Sequence, residues 1–140
     1  MKKQNYQNHA RYYPFHHFVL TPITLIILGV SVYKYDGTID SLFDLLVAGV
    51  IVLIPFLARI YALKLQNRII LNEMRARYFH LTGSSFYSVE KNLRLSQIIA
   101  LRFASDLEIL GLIEEAVSKN LSPKEIKLKI KDWQGDFIRV

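Results

Sequence analysis

The sequence predicts an all-α protein: a two-helix transmembrane hairpin followed by a small cytoplasmic helical bundle. Three observations carry this. Two apolar blocks occupy residues 18–33 and 42–65, Lys and Arg are distributed unevenly about them, and punctuated amphipathic segments follow from residue 66 onward.

The composition points the same way. Hydrophobic residues make up 51% of the 140 and the mean hydropathy is +0.20, high for a domain that must cover itself with a polar surface. The excess lies in the two blocks, and the rest of the chain has an ordinary polar mixture. Cysteine is absent, which excludes a disulfide framework, a thiolate metal site and a cysteine nucleophile. A net charge of +6 favours anionic partners, of which lipid headgroups are the foremost for a membrane protein.

The first block, residues 18–33, contains no charge. Its sixteen residues would cover about 24 Å as a helix, a little short of the ~30 Å hydrocarbon core. Aromatic and imidazole flanks make up the difference: Tyr12, Tyr13, Phe15, His16 and His17 before it, Tyr33 and Tyr35 at its end. The span is expected at about 18–35, with Pro22 near its start, where a helix tolerates proline best. In the second block only residues 45–58 are uncharged, between Asp44 and Arg59. Ile60, Tyr61, Ala62, Leu63 and Leu65 carry the pattern on, and a long arginine near a helix end can reach the headgroups. This span is expected at about 42–65, kinked at Pro55. A soluble buried hairpin is the alternative, but a chain this short has little material to cover two helices apolar all round. A signal peptide headed by Lys2, Lys3 and Arg11 is disfavoured, because no small-residue cleavage site follows and a second span does.

Charge sets the expected orientation. Lys2, Lys3 and Arg11 precede the first span without an acid, whereas Lys34 faces Asp36 and Asp40 in the connector. Arg59, Lys64, Arg68, Arg75 and Arg77 follow the second span, opposed only by Glu73. The positive-inside rule places both termini in the cytoplasm and the Asp-Gly turn at 36–41 outside, as in a multi-pass protein of the bacterial cytoplasmic (inner) membrane. The expected organisation is a basic, aromatic interfacial segment at 1–17, the hairpin at 18–65 and a cytoplasmic helical tail at 66–140.

In the tail, the second span continues as a helix over 66–81, with Ile70, Met74, Tyr78 and Leu81 at helical spacing, and the run 82–85 (Thr-Gly-Ser-Ser) ends it. A short helix is expected at 86–93. Ser96 is read as the cap of a helix over 97–104. Ser105 and Glu108 are read as a capping box opening a helix to about Asn120, with Ile109, Leu110, Leu112, Ile113, Ala116 and Val117 as its apolar stripe. Ser122, Pro123 and Glu125 form a stronger start signal. In that last helix Ile126, Ile130 and Trp133 are expected to share one face, beside Lys124, Lys127 and Lys131.

Several of these stretches together resemble a known family. They are the run 97–106 (Gln-Ile-Ile-Ala-Leu-Arg-Phe-Ala-Ser-Asp) with Glu108, the ending 126–140, the run 5–14 with His16 and His17, and 73–78 (Glu-Met-Arg-Ala-Arg-Tyr). The chain is similar over essentially its whole length to the short bacterial integral membrane proteins grouped as domain of unknown function 6526. That resemblance implies two spans and a helical C-terminal part, and no particular activity. Leu71 and Leu110 depart from it, where a basic residue and a proline are expected.

Candidate functional groups are few. Arg102, Ser105, Asp106 and Glu108 form the densest polar cluster, readable as a site for a polar ligand or partner, or as capping with Arg102 paired to an acid. Arg59, Lys64, Arg68, Arg75 and Arg77 are candidate lipid-headgroup contacts. Of His9, His16, His17 and His80, the adjacent pair points about 100° apart on a helix and is poorly placed to share a metal. Asp44 and Arg59 flank the second span too far apart to pair. No phosphate loop, zinc spacing or nucleophile elbow occurs, so neither an enzyme, a cofactor nor a metal is expected.

The function expected is a non-enzymatic membrane anchor or interaction module. Residues 59–140 net +5 (14 Lys and Arg against 9 Asp and Glu), and anionic lipids, a protein partner or a second copy are the expected partners. A small oligomeric channel or transport subunit is the alternative, resting on Gly29, Ser31, Ala48 and Gly49 as small packing residues, though no polar stripe crosses either span. Membrane-tethered nucleic-acid binding through the last two helices comes third, because the final helix offers lysines but no Arg, Asn or Gln in its first turns to read bases.

Overall fold

Proline, glycine and a handful of hydroxyl side chains divide the chain into its elements. The structure, a computed structural model, describes residues 4–8 and 13–136. The expectations resting on Lys2, Lys3, His9, Arg11 and Tyr12 lie outside them. Every regular element among the described residues is helical, as expected. The described residues form two compact units, one of residues 13–64 and one of residues 4–8 with 65–136.

In the first unit the helical path begins at Pro14, passes through a π-helical segment at His16–Leu20 and continues as α1, Thr21–Tyr33. The π segment sits directly before Pro22. Proline has no N–H for the carbonyl four residues back and its ring crowds that carbonyl, so a wider turn relieves both problems. Thr21 closes it, donating both its N–H and its hydroxyl to the His16 carbonyl, the latter at 2.8 Å. Pro22 is the second residue of α1, at its start as expected, with the π-helical segment leading into it. His16 and His17 are part of that path.

The connector turns at Gly37, whose φ of +83° is glycine territory. Asp36 Oδ1 accepts the Thr38 N–H at 3.0 Å and the Thr38 hydroxyl at 2.6 Å. Bonds from Thr38 and then Ser41 hold the Asp36 carboxyl down to about 2. Thr38 Oγ1 in turn accepts the Ser41 N–H at 3.2 Å, the bond of a helix cap. The second long helix, α2, accordingly starts earlier than the apolar run and spans Ile39–Thr82, 44 residues without interruption through Pro55. Gly29 and Gly49 have open space where a Cβ would stand, so neither mediates a close helix contact within the chain.

The second unit holds the core. Ile70 and Met74 of α2 join Phe86, Ile98, Leu101, Phe103, Ile109, Ile113, Ile126 and Trp133 in one buried cluster. Gly83 ends α2 with φ +69°, its N–H donating to the Phe79 carbonyl at 2.8 Å, the expected glycine stop. Four short helices follow: α3 (Tyr87–Glu90), α4 (Leu95–Leu101), α5 (Ile109–Ser118) and α6 (Pro123–Lys129).

Two expected starts are corrected. Ser96 does not cap α4, which begins at Leu95 and ends at Leu101. The Gln97 side chain reaches back to the Arg94 N–H at 2.6 Å, and its amide also donates to the Leu121 carbonyl at 2.7 Å, fully buried. Ser105 and Glu108 form no capping box, and α5 begins only at Ile109 without a side-chain cap.

The start of α6 is as expected. Ser122 Oγ accepts the Glu125 N–H at 3.2 Å, and Glu125 accepts the Ser122 N–H at 2.7 Å. Its end is not. Ile130 is already extended (φ −65°, ψ 121°), so Trp133 lies beyond the helix. Trp133 makes an antiparallel bridge with Ala104, and Gln134 N donates to the Phe103 carbonyl at 2.7 Å. Ile126, Ile130 and Trp133 all reach the core, but by a change of backbone direction and not along one helix face.

Of the N-terminal segment, residues 4–8 belong to the same compact unit as the core. Gln4 is buried, and its Oε1 accepts the Asp136 N–H at 2.8 Å. Tyr6 packs against the core cluster.

Candidate functional site

The charged side chains of the polar cluster at 102–108 reach three different sets of partners. Its members point to different partners because residues 102–108 form a bend, with the chain turning between α4 and α5. Arg102 pairs with Asp136 at 2.9 Å, and not with the neighbouring Asp106. Asp106 accepts from Arg77 of α2. Glu108 accepts two backbone amides, Lys131 N at 3.1 Å and Asp132 N at 3.2 Å, holding the segment that follows α6. Ser105 is buried, and its carbonyl accepts from Glu108 N and Ile109 N. The Arg102, Asp106 and Glu108 side chains thus each fasten one stretch of the second unit to another.

The cations of α2 divide into two groups. Arg75 makes a bidentate pair with Glu90, both bonds at 2.7 Å, and its guanidinium lies 4.5 Å from the centre of the Tyr87 ring. The pair raises the Arg75 pKa and holds the Glu90 carboxyl below the usual carboxylate range. Besides Asp106, Arg77 serves the Ala104 carbonyl at 2.7 Å and the Arg102 carbonyl at 3.3 Å. The donors of Arg75 and Arg77 are therefore turned to partners inside the unit. Arg59, Lys64 and Arg68 make no ion pair among the described residues, and Lys64 and Arg68 are exposed. The partners Glu90, Asp136 and Gln4 were not predicted, since each lies at least 15 residues from the group it binds.

The His16 and His17 rings meet edge to face with centres 5.0 Å apart, and His17 Nδ1 donates to the Tyr13 carbonyl at 3.0 Å. Among the described residues no group of three or more His, Asp or Glu is placed to hold a metal ion. Clefts open on both units. One of about 410 Å³ is lined by Tyr78, Val89, Leu110, Ile113 and Val117 with a polar rim. A second, of about 650 Å³, lies in the first unit beside Lys34, Asp36, Asp40 and Asp44. The third, of about 220 Å³, is lined by Leu71, Tyr87, Leu95 and Ile98 with Glu90 and Lys91.

These features define a class: an all-helical protein with two helices long and apolar enough to cross a membrane, and a helical unit with its own buried core. Within it, the chain belongs to the family of unknown function DUF6526, whose model matches residues 1–140. No curated protein and no solved structure matches it.

Proposed function

We propose that this protein is a non-enzymatic membrane anchor and interaction module. In this reading α1 with its π-helical lead-in and the first part of α2 cross the bilayer, both termini lie in the cytoplasm, and the second unit docks on anionic headgroups or a partner protein. The supporting observation is exposure. Only 6% of the apolar window at His16–Tyr33 and 17% of that in α2 are buried within the chain. Ile26, Leu46, Leu53 and Ile54 are each about 60% exposed. Two helices this apolar and so little covered by their own chain suit a non-aqueous solvent. Arg75, Arg77, Arg102 and Glu108 of the second unit, by contrast, are engaged in ties that build it, and the reading assigns them no catalytic part.

The absence of cysteine permits a clean test. Ser41→Cys in the connector and Ser84→Cys after α2 are each labelled in intact cells with a membrane-impermeant maleimide. The reading expects labelling of the Ser41→Cys protein alone, with the Ser84→Cys protein reacting only after permeabilisation. Labelling of Ser84→Cys from outside would reverse the orientation, and loss of the protein from washed membranes would end the anchor reading.

A further inference from the structure

We propose that two copies of this protein pair in parallel along one face of α2, with Leu65, Ile69, Asn72, Ala76 and Phe79 as the seam. The inference deepens the interaction reading above by naming the partner, and it takes the parallel orientation from the membrane part of that reading. The five residues are separated by four, three, four and three positions, the alternation of a coiled-coil seam. At about 100° per residue they fall within a sector of about 80°. Ile70, Met74, Tyr78 and Leu81 fall on the opposite side of the same helix and pack in the core of their own unit. The seam itself is left uncovered. Leu65, Ile69 and Phe79 are 60%, 58% and 60% exposed, and Asn72 and Ala76 are exposed as well. This stretch of α2 is therefore apolar on two opposite sides, of which only one is buried within the chain.

Charge selects the occupant. Arg68 borders the seam on one side and Glu73 on the other; both are exposed, and neither makes an ion pair among the described residues. When two such helices run parallel and in register, a residue on one border meets the residue five positions further along the opposite border of the second helix. Arg68 of each copy then faces Glu73 of the other, and the twofold axis makes the pair twice. Arg75, the next cation on that border, is already neutralised by Glu90. An anionic lipid surface would meet Glu73 as a like charge, whereas a second copy meets it with Arg68. Two copies inserted in one membrane with one topology also bring their α2 helices alongside in the same direction, as the pairing needs. Asn72 fixes the register. Its Oδ1 accepts from Arg75 Nη1 at 3.3 Å and keeps a second lone pair for the amide of the other Asn72. A slip by one seam position would set each amide against an aliphatic side chain.

The absence of cysteine again permits the test. Ile69→Cys and Ala76→Cys on the seam, and Ser96→Cys on the exposed surface of α4, are each oxidised in membranes holding the full chain. Disulfide-linked dimers are expected at both seam positions and not at Ser96→Cys. In the Ala76→Cys protein, Arg68→Glu should slow crosslinking by roughly twofold to thirtyfold, and adding Glu73→Arg should restore it. Unchanged Trp133 fluorescence would certify that the variants fold. A dimer at only one of the two seam positions would mean antiparallel pairing, and equal crosslinking at Ser96→Cys would mean random collision; either overturns the proposal. So would an adduct with a protein of another mass, or a loss on Arg68→Glu that Glu73→Arg leaves unrepaired. No dimer, with Ser41→Cys labelled as expected, would remove the pairing and leave the anchor standing. Loss of the protein from washed membranes would instead overturn both the anchor and the parallel pairing.

Discussion

Arg75 and Arg77 stand two residues apart on α2, which turns them about 200° from each other, and they serve different neighbours. Arg75 faces Glu90 and Tyr87, while Arg77 faces Asp106 and two carbonyls at the bend after α4. Both read in the sequence as members of one basic stripe aimed at headgroups, because a charge run does not reveal which of its members will meet an acid from a later element. Glu115 is the converse case, one acid shared by two bases. It accepts from Lys119 at 2.8 Å and from Lys129 at 2.7 Å, and bonds from Lys119 first, then Lys129, lower its pKa to about 2. A carboxyl whose folded pKa lies below its unfolded value stabilises above the unfolded value, and that contribution disappears as pH falls. Glu115→Gln should therefore lower the thermal midpoint at neutral pH, and the gap to wild type should close between about 4.5 and about 2. The gap should also shrink in high salt, since the lysines are exposed. A gap independent of pH in Trp133 melting curves would show that charge plays no part.

At the scale of elements, the same pattern of Ser followed three residues later by Glu occurs twice, at 105–108 and at 122–125. Only the second is a capping box. At the first, Glu108 is drawn away by the Lys131 and Asp132 amides, which have no helix of their own to bond within. A capping pattern is a local signal, and it yields when a distant segment brings unsatisfied donors to the same carboxylate. Ser122→Ala removes a bond that α6, only seven residues long, depends on for its first turn. It should cost about 1 kcal/mol of stability, measured by denaturant titration of the detergent-solubilised protein. A change near zero would mean that Pro123 and the burial of Ile126 hold the helix without the cap. The π-helical segment before Pro22 follows the same logic within the membrane-type helix: the proline was visible, but the response of the turn before it was not.

For the whole molecule, the division into two units has a direct consequence. The single Trp is Trp133, packed against Phe103 with ring centres 5.1 Å apart, so it reports on the unit that holds the core and not on that of residues 13–64. Urea titration in detergent should shift Trp133 emission cooperatively while the far-ultraviolet helical signal retains a large fraction from α1 and the first half of α2. Coincident loss of both signals would mean that the units unfold as one. The apolar composition of the two long helices, the continuation of α2 past its apolar run, its glycine stop and the cap of α6 were all legible in the sequence. Each depends on residues within a few positions of one another, where helix periodicity, span length and cap chemistry act directly. The tertiary structure alone decided that Arg102 meets Asp136, Arg75 meets Glu90, and Gln4 closes on Asp136 across 132 positions. Several acids were equally available to each base along the chain. Which one is reached depends on the path of the backbone between them, and that path is settled by how the core residues pack.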